Sequence, residues 1–392
     1  MKRLHLFCFL ITLNLIVAFA KSTGTGFIGN GFYRIHNFAT DRYIYVTDDQ
    51  DYYEKGSDRE DFQAIQLWKD DNKAISDPAG IIYIEEVSSG NFDLQAQGTG
   101  TLSLTGYYVH VQRQRNGAYE VSASSHGVTK YLSDDETSSS PQGMMGTSNS
   151  GDYRCWVVDK IETSHATNYF GISPTIALNG TYYQPFYASF AFRTASPGMH
   201  VYYVSDAGGN LALLQEIEGD VPARTPVIIE CASSNPSNNR IELLTSTTAQ
   251  VTDNMLDGVF FCNGDRREQS ENAYTVFDAA TMRVFAVENG KLVLTDAAPA
   301  NEVMIIDWTT WSQVSVNCLF ANTSYFKADA NTPRVIELTS DPTSIHGIPA
   351  SGQEKSAKGV YSLSGTQLRP GESVQGLPAG LYIVGGKKVV IK

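Results

Sequence analysis

The chain has 392 residues, with 42 Asp+Glu against 29 Lys+Arg and a formal net charge of −13, so it lacks the basic excess that nucleic-acid phosphate or anionic lipid headgroups demand of a partner. Charged residues make up 18%, while Gly (33) and Tyr (21) are plentiful, which suits a β-rich exported protein of two or three domains better than a disordered or helical one.

The first element is a leader. Lys2 and Arg3 precede an apolar run from Leu4 to Phe19, and Ala18-Phe19-Ala20 supplies the small-x-small pattern of a cleavage site. Residues 1–20 are therefore expected to be a cleaved signal peptide. Removing its 2 basic residues from the 29 leaves 27 against 42 acidic ones, a formal −15. No second apolar stretch of about 20 residues follows, so no transmembrane segment is expected. Cys155, Cys231, Cys262 and Cys318 remain after cleavage, without a CxxC spacing. Cys231 with Cys262 is the expected pair if a disulfide forms; buried single thiols are the alternative.

Residues 21–162 read as strand–turn–strand units. Phe32-Tyr33-Arg34-Ile35-His36-Asn37 turns through Ala39-Thr40-Asp41 and returns as Arg42-Tyr43-Ile44-Tyr45-Val46-Thr47. A second unit covers Ile81 to Leu104, and a third runs from Tyr108 to Ser133 through Asn116-Gly117. Arg154-Cys155-Trp156-Val157-Val158-Asp159-Lys160-Ile161 then supplies a strand able to close on the first. Three units with the last strand closing the first follow the logic of a β-trefoil; another small barrel or sandwich is the alternative. Tyr33 to Asn37 with Arg42 to Val46 resembles the opening repeat of ricin-B-type lectin domains, and Gln66-Leu67-Trp68 matches that family's Gln-x-Trp element once.

Residues 163–338 continue in strands and are expected to form a β-sandwich-like region of one or two modules. Tyr182 to Phe186, His200 to Ser205 and the buried-looking Val227-Ile228-Ile229 run lie in its first half; Val284 to Val287 and Lys291 to Leu294 lie in its second. Pro222-Ala223-Arg224-Thr225-Pro226 ahead of Val227-Ile228-Ile229 resembles a module of Bacteroidetes surface proteins. Residues 339–358, rich in Ser, Gly and Pro, read as a linker. Residues 359–392 form a small β-module, in which Gly385-Gly386 is a two-residue hairpin signal. Gly359-Val-Tyr-Ser-Leu-Ser-Gly, then Gly380-Leu-Tyr-Ile-Val and Lys388-Val-Val-Ile-Lys, resembles the C-terminal sorting domains of proteins exported by the type IX secretion system. The resemblance implies secretion or display at the outer-membrane surface. The expected fold class is thus all-β and multi-domain.

Chemistry is sparse along this frame. No HExxH, Gly-x-Ser-x-Gly or P-loop occurs, and the six histidines after the leader are scattered. No cofactor is expected. Acidic turns at Asp48 to Asp61, at Asp70, Asp71 and Asp77, and at Asp134 to Glu136 offer oxygen ligands of the kind Ca²⁺ takes, though none has EF-hand spacing. Sugar sites in β proteins combine a ring that stacks on a pyranose with nearby Asp or Asn side chains. Asn37, Asp41, Tyr43, Tyr45, Asp48 and Trp68 supply that set on the first hairpin and the strand after it. Alternation puts Tyr43 and Tyr45 on one face; they are exposed together if Ile44 and Val46 are core, and core themselves if not. The expectation is a glycan or cell-surface polysaccharide as partner. A glycosidase or peptidase with its active site in 164–338, or an adhesive protein binding another protein, are the rival readings.

Overall fold

The computed structural model describes residues 24–47, 64–68, 75–97, 109–113, 117–125, 128–134, 143–146, 151–260, 274–307, 309–340, 359–362, 367–370, 373–384 and 387–391. The leader and most of the 339–358 segment lie outside them. The fold is all-β, spread over several sheets.

Among the described residues, ten strands build the N-terminal part: β1 (Gly31–Asn37), β2 (Tyr43–Thr47), β3 (Ala64–Trp68), β4 (Ile82–Ser88), β5 (Asn91–Ala96), β6 (Val109–Arg113), β7 (Tyr119–Ser125), β8 (Val128–Asp134), β9 (Gly143–Gly146) and β10 (Cys155–Lys160). Antiparallel pairing runs β1 to β4, β5, β6, β7 and β10, and β10 returns to β1, so these strands close a ring. Closure removes the unpaired edges that make open sheets aggregate. Among the described residues two hairpins, β2–β3 and β8–β9, extend from the ring.

The expected closing strand is β10, with Ile35 opposite Val158 and Asn37 opposite Trp156. Every second residue points inward: Tyr33 and Ile35, Ile82 and Ile84, Leu94 and Ala96, Tyr119 and Val121, Trp156 and Val158 share one core. Each such side chain contributes about 1.5–3 kcal/mol by leaving water. Trp156 is fully buried, and its indole N–H donates to the Leu132 carbonyl at 2.9 Å, so the largest ring in the core has its polar atom satisfied.

The repeats differ from the expected units in one way. Residues 32–37 and 42–47 do not form a hairpin along their length. β1 and β2 meet at His36 and Tyr43, and β2 then pairs with β3 from Tyr43↔Trp68 to Thr47↔Ala64. In the Ile81–Leu104 unit β4 and β5 pair from Ile82↔Ala96 to Ser88↔Asn91, as the strand–turn–strand pattern implied.

Downstream, a sheet of strands Phe170–Gly171, Arg240–Leu244, Ala191–Thr194 and Asp220–Val221 packs on a larger sheet that includes Thr181–Phe186, Val227–Cys231 and His200–Gly208. Phe170, Phe192 and Ile241 from the first meet Phe186, Val201 and Ile229 from the second, which is sandwich packing. The Val227-Ile228-Ile229 run is apolar throughout because both its faces are covered: Val227 and Ile229 enter this core, and Ile228 enters another with Phe285, Leu294 and Ile336. The larger sheet joins both halves of the region through a parallel pairing of Leu211–Glu216 with Val335–Thr339.

Cys155, Cys231 and Cys318 are buried, and Cys262 lies outside the described residues. Burial raises the Cys231 thiol to about 12. At the C-terminus, strands Gly359–Tyr361, Gln367–Pro370, Gly380–Val384 and Lys387–Ile391 form a separate sheet. Val384 pairs with Lys387, the two-residue connection expected at Gly385-Gly386.

Candidate functional site

The corner between β1 and β2 is built by side chains that replace missing backbone partners. Asn37 Oδ1 accepts the N–H groups of Ala39 at 2.9 Å and Thr40 at 3.2 Å, while its Nδ2 donates to the Tyr153 carbonyl at 2.8 Å. This is the Asx turn that Asn favours. Asp41 adopts φ 60°, a left-handed conformation Asp tolerates better than most residues, and its N–H returns to the Asn37 carbonyl at 3.0 Å. Next to it, Arg42 forks onto Asp134 of β8, with Nε to Oδ2 at 2.8 Å and Nη2 to Oδ1, and Thr40 Oγ1 donates to the same carboxylate. The Asp134 side chain is fully buried and that of Arg42 16% exposed, so the pair works in a low-dielectric setting and pins the corner to the β8–β9 hairpin.

These contacts correct part of the expected sugar site. Asn37 is fully buried and bound up in its turn. Tyr45 is fully buried as well, and so is Ile44, because β2 is covered on both faces where it enters the barrel. Tyr45 packs over the backbone of Gly80, where a Cβ would lie 3.2 Å from Cε1. The two tyrosines therefore share a face without sharing exposure. Tyr43 is half-buried at the rim of the core, its ring 5.1 Å from that of His36 at 39°. Asp41 is exposed beside it. Trp68 is placed by its backbone opposite Tyr43. Asp48 lies outside the described residues, as do most of the acidic-turn carboxylates. Of those carboxylates, Asp134 is committed to Arg42, and Asp77 Oδ1 caps a short 3-10 turn by accepting the Ala79 N–H at 2.9 Å. Among the described residues no group of three or more His, Cys, Asp or Glu is placed to hold a metal ion.

A second concave feature was invisible in the sequence. Ser76 and Asp77 of the barrel, Ile172, Ser173, Gln184 and Phe186, and Ala321 to Thr323 surround a cleft of about 500 Å³. Ser76 Oγ and Gln184 Oε1 are buried there without a hydrogen-bond partner. Beside them Asn322 Nδ2 donates to Gln97 Oε1 and to the Tyr187 carbonyl, both at 3.0 Å. Asn322 (φ 65°) and Gln97 (φ 52°) are both left-handed, conformations that cost about 1–3 kcal/mol unless the surroundings fix them. No local pattern announces this pair, since 225 residues separate its members.

Electrostatics elsewhere is structural. Arg34 is fully buried in the barrel wall, where Nη1 donates to Asn168 Oδ1 at 2.7 Å, and burial lowers its guanidinium to about 10. His200 lies 2.6 Å from Glu216 on the surface, and that hydrogen bond raises the imidazole above its ordinary value of 6.5.

No family model matches the chain, and no curated protein does. Among solved structures, that of a mosquitocidal holotoxin overlaps 79% of this chain at a TM-score of 0.28 and 10% identity. The chain spans 45% of that protein's length. A likeness so weak carries no argument about function.

Proposed function

We propose that this is an exported, non-catalytic carbohydrate-binding protein, whose N-terminal barrel takes a glycan at the β1–β2 corner and whose C-terminal module acts in delivery to the cell surface. The observation that carries the glycan reading is the Tyr43 ring, half-exposed beside His36 and next to the exposed Asp41, on a corner held rigid by Asn37 and the Arg42–Asp134 pair. A ring so held stacks on the apolar face of a pyranose at little entropic cost, and a carboxylate beside it accepts the sugar's hydroxyls.

The leader and the C-terminal strands support export, and the formal −15 after cleavage disfavours nucleic acid as a partner. N-terminal sequencing of protein from the native cell is expected to begin at Lys21; Met1 would end the export reading. For the glycan, an array probed with the chain from Lys21 is expected to give hits that Tyr43→Ala and Asp41→Ala each weaken about tenfold. A blank array, or hits indifferent to both changes, removes the corner as a site. A hydrolase screen on the same preparation separates binding from turnover, and sustained release of product would favour the enzyme alternative.

A further inference from the structure

Strand register fixes a transverse row on the outer face of the barrel. Phe32 of β1 lies opposite Tyr83 of β4, and Tyr83 lies opposite Gln95 of β5. Directly opposed residues share a face at about 5 Å, so these three side chains stand shoulder to shoulder. The Phe32 and Tyr83 rings are 5.3 Å apart at 59°, and Phe32 meets Phe190 of the facing sheet at 5.8 Å and 62°. Ser189, Phe190 and the residues from Leu244 to Thr247 form the opposite wall, held in place by the pairing of Ala191 with Leu244. A cleft of about 390 Å³ lies between, in the size range of small-molecule sites.

Its chemistry is specific. No described residue lining the cleft is charged. Around it, Asp93 accepts Gln95 Nε2 at 2.7 Å, Asp220 accepts Thr247 Oγ1 at 2.9 Å and pairs with Arg193 at 3.2 Å, and the Glu85 carboxylate acts on Tyr83. Ser189 is 6% exposed and its hydroxyl is buried with no hydrogen-bond partner. A buried hydroxyl left unsatisfied bears its full desolvation cost, which a ligand hydroxyl would remove.

We propose that this cleft is a second ligand site, distinct from the barrel corner, which binds one uncharged sugar ring. The apolar face of a pyranose fits the Tyr83 ring within the wall formed by Phe32 and Phe190. Its hydroxyls then meet Ser189 Oγ, the Gln95 amide oxygen and the exposed Thr245 hydroxyl. A purely apolar ligand would bury Ser189 and Gln95 unpaired. An anionic sugar would meet no cation in the lining and would approach Asp93 and Asp220. Because its walls come from the barrel and from the sheet behind it, an occupant also fastens the two together, so binding raises the melting temperature by mass action.

The test uses the chain from Lys21 with the methyl glycosides of glucose, galactose, mannose and N-acetylglucosamine, and glucuronic acid as the anionic comparison. Calorimetric titration is expected to find saturable binding of at least one neutral glycoside. Tyr83→Ala should weaken it about tenfold by removing the stacking ring. Ser189→Ala should weaken it several-fold with the melting temperature unchanged or raised, because that substitution removes an unpaired buried hydroxyl. Tyr43→Ala removes the corner's contribution, and the binding that remains in it should be the part that Tyr83→Ala and Ser189→Ala weaken, which separates this site from the first. The proposal is overturned by the absence of binding to any neutral glycoside at about 10 mM, an affinity at which a sugar contact stops being specific. It is equally overturned by binding that ignores both cleft substitutions, by binding lost in Tyr43→Ala, or by glucuronic acid binding as well as the neutral sugars. A lowered melting temperature for Ser189→Ala would show its hydroxyl to be satisfied within the fold and would also overturn it. Should Tyr83→Ala not fold, Gln95→Ala replaces it, with the same several-fold loss expected.

Discussion

Tyr43 and Tyr45 lie two residues apart on one strand face, yet replacing them should do opposite things. Tyr45 is fully buried in the barrel core over Gly80. Truncation to Ala leaves a ring-sized void that closely packed neighbours cannot fill, and aromatic-to-Ala changes at such positions cost about 3–5 kcal/mol. With a urea dependence of roughly 2 kcal/mol per molar for a domain of this size, the midpoint should fall by about 2 M. Tyr43, half-buried at the core's rim, gives up a smaller area, so about 1 kcal/mol and a fall of roughly 0.5 M are expected. Emission from Trp156, fully buried in the same core, reports the barrel's unfolding. In binding the order reverses: Tyr43→Ala loses about tenfold in glycan affinity, and Tyr45→Phe, which keeps the ring in place, loses none. Equal destabilisation by the two Ala variants would place both rings in the core and refute the corner site. A Tyr45→Ala protein as stable as the parent would refute the packing argument itself.

Three further outcomes follow from other parts of the structure. Asp134→Asn strands Arg42 in a largely buried setting and should cost about 3–5 kcal/mol, with Arg42→Met/Asp134→Leu recovering most of it; a loss below 1 kcal/mol would mean the pair is solvated. A fragment of residues 21–150 lacks β10, which pairs with both β1 and β7, and should be insoluble or unfolded; a soluble fragment that melts cooperatively contradicts the closed ring. The Glu216 bond raises His200 above 6.5, so its stabilising contribution is complete below pH 6.5 and is lost as pH rises through the higher folded value. Parent and His200→Gln proteins should therefore differ in melting temperature at pH 5.5 and converge by pH 8.5; the gap should be small because both side chains are more than two-fifths exposed, at 44% and 43%, and a gap that widens with pH has the wrong sign.

Much of the fold was legible because a strand writes its burial at period two. Tyr33 and Ile35, Leu94 and Ala96, Trp156 and Val158 alternate in the sequence as they alternate in the barrel. The unbroken Val227-Ile228-Ile229 run announced a strand covered on both sides and proved to feed two cores. Closure by β10 could be read too, since an apolar strand with no partner of its own must find one. Pairing at a distance was harder: β2 chose β3 over β1, a preference set by the turn at Asn37 and Asp41. The contact of Gln97 with Asn322 has no local signature at all.

The candidate site was less legible in the sequence for a different reason. The groups that bind a sugar hydroxyl, an amide or a carboxylate, are the same groups that complete a turn or neutralise a buried Arg. Residue type cannot separate those uses; depth does. Asn37 and Asp134 are fully buried, and their polar atoms are held by the backbone of the turn and by Arg42. Asp41 projects from the same corner into solvent. The ring pair divides in the same way, Tyr45 to the core and Tyr43 to the rim. Of the six residues the sequence grouped as ligands, Asn37, Asp41, Tyr43 and Tyr45 thus fall into two layers. The inner one makes the corner rigid, and the outer one, with Tyr43 and Asp41, gains its binding geometry from that rigidity. Loosening the inner layer by Asn37→Ala should therefore weaken glycan binding even though Asn37 touches no ligand.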